Sequence, residues 1–307
     1  MNRILFFGSG SIAKQHRQNL QDLDLQIFEL KERQLKEIDL KTYLTVNKIE
    51  MAVVCTTSGK HFGIIKDLID SEIPFYCEKP LFLSNKDVKF FEKNDKQVLN
   101  KSCVGFNLRY HPAIKFLKDI FADTQGKIGF QIIVAHDVTK WREGRGLDTL
   151  FSLKKDLGGG AISELCHEID FANYLFKSNK VEQVKSFLDP WSEEVDGQSL
   201  VILEGKDSFG SVYLDLVSPE IRRSINCFSK NITITLDLVT GNLRGNINSK
   251  KIKKDFEYDR NEVLRESLLN FIYFNQESLN KKIPLNNLND CLVSSEMIAN
   301  AYGMLKR

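Results

Sequence analysis

The segment Gly158-Gly159-Gly160-Ala161-Ile162-Ser163-Glu164-Leu165-Cys166-His167-Glu168-Ile169-Asp170 carries the residue types that proton transfer requires. Glu164, His167 and Asp170 recur three residues apart, a spacing that puts side chains on one face of an α-helix. An imidazole, with an ordinary pKa of about 6.5, can accept a proton at neutral pH, and a neighbouring carboxylate supports it. The three glycines ahead of it let a substrate or cofactor come close to the backbone. Taken alone, the same pattern also describes a solvated charged face. What decides between the two is the company the segment keeps at the N-terminus and around Glu78-Lys79-Pro80.

Arg3-Ile4-Leu5-Phe6-Phe7 is a short apolar run that ends in Gly8-Ser9-Gly10-Ser11-Ile12-Ala13. A strand leading into G-x-G-x-x-G/A is a dinucleotide-binding pattern, and each small residue has a reason. The first glycine makes the tight turn, and the second admits the pyrophosphate. The third position, here Ala13, must be small for helix and strand to pack. The helix that follows offers the amides of its first turn, Ser11 and Ile12 among them, to the phosphates. A second strand-like run, Leu25 to Phe28, delivers Glu29 about 20 residues further on, where ribose recognition needs an acid. A carboxylate there accepts from a ribose 2′-hydroxyl and repels a 2′-phosphate, so the expected cofactor is NAD, with NADP less favoured. Lys31 and Arg33 follow closely and are the residues able to meet a phosphate.

The elements that must position these groups alternate in the first third of the chain. Strands are expected at 2–7, 25–29, 51–55, 74–77 and 102–106, and helices at 11–22, 32–37, 60–71, 84–94 and 112–121. Apolar strands alternating with helices make an α/β domain with a doubly wound parallel sheet, whose ligands bind off the carboxyl ends of the strands. Thr56, Thr57 and His61 follow the third long strand, where a nicotinamide ribose lies; His61 has helix capping as its alternative. Beyond residue 120 the chain reads as strands joined by short turns, at 128–139, 181–189, 198–205, 209–217, 222–229, 231–239 and 242–248. Helices are expected at 162–176, 260–278 and 287–306. This is an α+β domain with a mainly antiparallel sheet. The expected domains are therefore 1–120 for the dinucleotide and 121–307 for substrate and oligomerisation.

Composition narrows the function classes. The chain has 307 residues, enough for two ordinary domains, and its 43 basic and 41 acidic residues leave a net charge of +2. That balance argues against nucleic acid or an anionic membrane as a partner. No apolar stretch approaches a membrane span or a signal-peptide core. Cys55, Cys77, Cys103, Cys166, Cys227 and Cys291 are scattered, with no C-x-x-C pair. Buried free thiols in a reducing cytoplasm are expected, and no metal site, since no candidate ligands share a zinc spacing.

Taken in order, Gly8-x-Gly10-x-x-Ala13-x-x-His16-x-x-Asn19-Leu20, Glu78-Lys79-Pro80, Gly105-Phe106-Asn107-Leu108-Arg109-Tyr110-His111-Pro112, and Gly158-Gly159-Gly160 with His167-Glu168-Ile169-Asp170 resemble the Gfo/Idh/MocA oxidoreductases. The resemblance covers residues 3 to about 176. It implies a Rossmann domain followed by an open-faced sheet domain, NAD(P) chemistry on a sugar or polyol, and a homodimer or homotetramer formed through the sheets. The Leu-Cys-His-Glu-Ile-Asp run resembles members of surface-polysaccharide and nucleotide-sugar pathways.

The resemblance also implies roles. His167 is the base, and Lys79 hydrogen-bonds the reacting oxygen, with a cis peptide at Lys79–Pro80. Glu78 and Lys79 stand at the cofactor, and Asn107, Arg109 and Tyr110 line the substrate pocket, with packing as the alternative for Tyr110. Many members place an aspartate four residues before the histidine. That position here is Ser163, and Glu164 stands where a related branch has its acid, so either can partner His167, with Glu164 preferred. His16 is expected to pack or cap rather than catalyse. Arg109, Trp141 and Arg142 bring guanidinium groups and an indole that suit an anionic sugar, nucleotide-linked or acidic. The expected function is transfer of hydride between NAD and a sugar secondary alcohol or ketone. The alternatives are a non-catalytic dinucleotide- or sugar-sensing regulator on the same fold and a scaffold partner in sugar assembly.

Overall fold

Strand β1 (Asn2–Phe7) is apolar from Ile4 to Phe7, and all four residues are fully buried, as a central parallel strand demands. The computed structural model describes residues 2–93, 96–122, 124, 126–140, 146–276 and 282–305. After β1 come α1 (Ser11–Gln18), β2 (Leu25–Leu30), α2 (Leu40–Val46), β3 (Met51–Val54), α3 (Ser58–Asp70), β4 (Phe75–Cys77), α4 (Asn85–Lys93), α5 (Lys96–Lys101) and β5 (Cys103–Val104). The five strands form one parallel sheet in the order β2-β1-β3-β4-β5. In that order the chain reverses direction across the sheet between β1 and β3. The crevice beyond their carboxyl ends is the ligand position of a doubly wound sheet.

Helix α6 (Pro112–Ala122) leads into β6 (Ile128–Ala135), then α7 (Ala161–Glu164) and α8 (His167–Phe176). Seven strands follow: β7 (Lys180–Asp189), β8 (Ser192–Glu204), β9 (Ser208–Asp215), β10 (Arg222–Phe228), β11 (Ile232–Asp237), β12 (Asn242–Ile247) and β13 (Lys250–Asp255). With β6 they make an eight-stranded sheet ordered β13-β12-β11-β10-β6-β9-β8-β7, antiparallel except for the central β6–β9 pair. In β6, Ile128, Phe130, Ile132 and Val134 alternate into the core. Phe130 stacks on Phe176 of α8 at 4.8 Å, and Phe121 of α6 meets Phe176 edge-on at 4.9 Å. The other face is open. Phe209 and Phe228, which flank Gly129 across neighbouring strands, are 65% and 53% exposed. The lysines of Lys250-Lys251-Ile252-Lys253-Lys254 lie on edge strand β13, where charge discourages pairing with a further strand.

Helices α9 (Arg260–Asn275) and α10 (Leu288–Gly303) close the chain. Asp259 caps α9 by accepting from the amides of Asn261 and Glu262. Leu268, Phe271 and Ile272 of α9 are buried in one cluster with Ile4, Phe6, Met51 and Tyr76. The chain accordingly forms two compact units, Met1–Phe82 with Lys86–Tyr110 and Asp259–Leu292, and Leu83–Asn85 with His111–Tyr258 and Val293–Arg307. This differs from the expected division at residue 120. The first unit ends at Tyr110 and recovers the chain at Asp259, because the apolar stripe of α9 completes the core of the parallel sheet. The expected helix over 162–176 is likewise two helices, parted at Leu165 and Cys166. Among the described residues no helix is long and apolar enough to cross a membrane.

Candidate active site

In the first unit the expected cofactor residues gather at the carboxyl edge of the parallel sheet. Gly8 has φ +102°, and a Cβ there would stand 2.6 Å from the Cys55 carbonyl oxygen, so the turn after β1 tolerates no side chain. Gly10 precedes α1 with no side-chain cap, and nothing lies within 4 Å of the place its Cβ would take. The first-turn amides at Ser11 and Ile12 thus open onto a cradle bare of side chains. Thr56 and Thr57 follow β3, and each keeps a buried hydroxyl oxygen with no hydrogen-bond partner among the described residues. Glu29 reaches the same edge from β2. A cradle, open helix amides, orphaned hydroxyls and an acid at the end of β2 suit a dinucleotide.

Two histidines brace this edge. His16 is fully buried, its Nε2 lies 2.7 Å from Oε1 of Glu78, and its ring meets Tyr76 edge-on at 5.4 Å. His61 is 1% exposed; its Nδ1 is 2.9 Å from the Pro80 carbonyl and its Nε2 3.0 Å from that of Thr56. Both neighbours are carbonyl oxygens, so the neutral ring donates to one of them and only lies against the other. The ring is wedged between the Thr56 and Pro80 turns, and burial pulls its pKa below the ordinary histidine value. Lys79 is half-buried between Glu78 and Pro80, and the Lys79–Pro80 peptide is cis.

Three expected substrate residues follow β5. Asn107 is half-buried. Arg109 is 1% exposed, and its guanidinium donates to the Leu285 carbonyl at 2.9 Å and lies over the Phe106 ring. The Tyr110 hydroxyl donates to Asn286 Oδ1 at 3.1 Å and accepts the Leu285 amide at 3.0 Å. Arg109 and Tyr110 therefore fasten the 285–290 segment within the first unit, which moves Arg109 from its expected place in a substrate pocket and gives Tyr110 the packing role held open for it. A planar, multi-donor guanidinium satisfies backbone carbonyls as readily as it does a ligand anion, and the sequence does not separate the two.

In the second unit Gly160, at φ +113°, places its Cα where a Cβ would strike the Asp196 carboxylate. Asp196 accepts from the Ile162 amide at 3.1 Å and from the Ser199 hydroxyl at 2.7 Å, so a buried acid on β8 anchors the start of α7. Tyr302 donates to the Gly159 carbonyl at 3.3 Å. Ser163 is fully buried, with a hydroxyl that has no partner among the described residues, while Glu164 is half-buried. At Leu165, ψ swings to 30° and α7 stops; α8 begins at His167, which is 9% exposed. Glu164, His167 and Asp170 thus do not share one unbroken helical face. Glu168 and Asp170 are fully buried, so this is no solvated charged surface either. Arg223 on β10 donates to Glu168 Oε1 at 2.7 Å and fixes the first turn of α8. Asp196 and Arg223 lie far along the chain, and no local pattern marks them. Trp141 and Arg142 lie outside the described residues. Among the described residues no group of three or more His, Cys, Asp or Glu is placed to hold a metal ion.

Residues 2–99 match the model of the family described as "Oxidoreductase family, NAD-binding Rossmann fold". Over these residues the chain is similar to the Gfo/Idh/MocA family. The glycine cradle lies within the residues that match this NAD-binding model. The chain is 26% identical over 200 residues to the myo-inositol 2-dehydrogenase of Thermotoga maritima, a match covering 59% of this chain and 57% of that protein. Among solved structures, the inositol dehydrogenase homolog of Azotobacter vinelandii complexed with NAD+ is similar, with TM-score 0.75, 15% identity and 99% of this chain on 95% of that one. The UDP-N-acetylglucosamine 3-dehydrogenase of Acidithiobacillus ferrooxidans is similar too, with TM-score 0.73, 13% identity and 98% on 95%. Both share the Gfo/Idh/MocA fold.

His111 gives this region a pH signature. The ring is 1% exposed, its Nδ1 accepts the Ala113 amide at 3.1 Å, and it lies 4.1 Å from the Tyr258 ring. Burial, with help from the Arg223 charge, lowers its pKa from 6.5 to about 4. Below pH 6.5 the unfolded chain takes up a proton that the folded chain refuses. Stability is therefore full above that value and falls as pH drops toward 4, by up to roughly 3 kcal/mol. His111→Asn, which keeps an acceptor for Ala113, should flatten this slope in urea titrations run from pH 8 to pH 4.5; an unchanged slope would remove His111 as its source.

Proposed function

We propose that the chain is an NAD-dependent dehydrogenase that moves hydride between the nicotinamide and a secondary alcohol or ketone of a sugar. The observation that carries this reading is that the dinucleotide cradle and Lys79 stand on the same carboxyl edge of one sheet. NAD, when bound, supplies the hydride acceptor. Gly8, Gly10, Ser11 and Ile12 hold its phosphates, Glu29 its adenine ribose, and Thr56 and Thr57 offer hydroxyls to the rest. Lys79 donates to the reacting oxygen, where a cation steadies developing negative charge. His167 takes the hydroxyl proton, with Glu164 or Ser163 as its partner. Retention of a lysine and a histidine with these roles favours a catalyst over a sensor or a scaffold, since neither needs a proton acceptor.

The substrate we propose is a nucleotide-linked or acidic sugar of polysaccharide biosynthesis. Support comes from the Trp141-Arg142 segment and from likeness to the UDP-N-acetylglucosamine 3-dehydrogenase; Arg109 no longer contributes. We place the protein in the cytoplasm, since all six cysteines are free and buried. The oligomer, a homodimer or homotetramer, uses the open sheet face around Phe209, Gly129 and Phe228, a pairing of exposed aromatics that a second copy would cover.

His167→Asn should bind NADH as the parent does and lose on the order of 10²–10⁴ in turnover, followed by NADH absorbance on a panel of nucleotide-linked, acidic and neutral sugars. Of Glu164→Ala and Ser163→Ala, the larger loss names the partner of His167. Turnover of His167→Asn near the parent level would remove it from the mechanism, and a preference for a free polyol would overturn the anionic substrate. Phe209→Asp should shift the sedimentation coefficient toward a monomer; a parent that sediments as a monomer already would rule the interface out.

A further inference from the structure

Arg17 of α1 occupies the point where the carboxyl ends of three strands meet. Its guanidinium Nη1 lies 3.3 Å from Glu29 Oε2, at the end of β2. The same nitrogen is 3.5 Å from the Gly8 carbonyl, after β1, and the group stands 5.8 Å over the buried Phe6 ring. Its charge also reaches the Cys55 thiol after β3. A guanidinium set on an aromatic face loses little freedom when it binds an anion. Glu29 is the acid expected to take the ribose hydroxyls and repel a 2′-phosphate, yet it stands already paired with a cation. Lys31 and Arg33, by contrast, are exposed, with no carboxylate partner among the described residues.

We propose that Arg17 is a coenzyme-specificity residue: it holds and neutralises Glu29, and it is the group that meets a 2′-phosphate when one enters. This rests on the NAD-binding reading of the first unit and on nothing about the sugar. A lone carboxylate at the end of β2 would exclude NADP by repulsion. A carboxylate paired with Arg17 repels less, and an arginine relieved of its carboxylate is a bidentate phosphate ligand. The chain therefore discriminates only modestly between NADH and NADPH, and the discrimination is a property of the pair.

The test is direct binding of NADH and of NADPH, by fluorescence titration of the full chain without any sugar. NADH should bind more tightly than NADPH. Glu29→Gln should lower the ratio of the NADPH to the NADH dissociation constant by about 10–100-fold, the worth of a charge-assisted hydrogen bond gained. Arg17→Gln should raise that ratio by about tenfold, and Arg17→Lys, which keeps the charge without the fork, should raise it less. In the double variant the gain from Glu29→Gln should largely vanish. An unmoved ratio in both Arg17 variants would overturn the proposal, as would a double variant that matches Glu29→Gln; the latter would pass the phosphate to Lys31 or Arg33. Loss of melting temperature with the ratio unchanged would make Arg17 a structural ion pair only. A parent chain that binds neither coenzyme would overturn the NAD-binding reading itself, and Arg17 with it.

Discussion

The first unit depends on one contact, the 2.7 Å approach of His16 to Glu78. It ties α1 to the turn that carries Lys79. The ring is fully buried, and a carboxylate so nearly withdrawn from water is tolerated only when a partner answers it. Neither α1 nor the Glu78 turn can shift without stranding the other's polar group. The Glu78 charge, added to burial, helps push the thiols of Cys55 and Cys77 well above their ordinary range, which keeps both protonated and inert beside the coenzyme cradle. Around this contact the Gly8 turn is pressed onto the Cys55 carbonyl, and His61 lies between the carbonyls of Thr56 and Pro80. The edge is preorganised, and the hydroxyls of Thr56 and Thr57 are what it leaves unanswered.

The second unit solves the same problem with charge brought from the sheet. Asp196 fixes the turn at Gly160 that begins α7, and Arg223 fixes Glu168 at the start of α8. The break at Leu165 and Cys166 follows from two anchors acting on two short helices. It lets Ser163 and His167 take positions that one regular helix would not give them. His167 thereby sits in a largely buried setting.

Much of this arrangement was legible in the residues. The glycine turn, the acid at the end of β2, the Glu-Lys-Pro turn and the strand–helix alternation are local signals, and local signals fix the parallel sheet and its ligand edge. Alternation and short turns likewise fix the open-faced sheet, although the parallel β6–β9 pair at its centre has no local mark. What escaped is what sequence distance hides. Helix α9 joins the first unit because Phe271 and Ile272 fit beneath Tyr76 and Ile4, a match of shapes and not of motifs. Arg109 looked like a ligand residue because guanidinium chemistry is the same toward a sugar phosphate and toward the Leu285 carbonyl. Glu164 looked aligned with His167 because helical spacing assumes an unbroken helix.

On the proposed reading, hydride passes between a nicotinamide and a sugar carbon on this chain. Its most direct test is isotope exchange: the purified protein incubated with NAD, C4-deuterated NADH and a mixture of nucleotide-linked and acidic sugars, read by mass spectrometry of the sugars. Exchange reveals hydride transfer even where equilibrium hides net turnover. A single sugar should gain one deuterium, and only with both active protein and NAD present. Tight NADH binding with no deuterium in any sugar would contradict it and leave a protein that binds the coenzyme without using it.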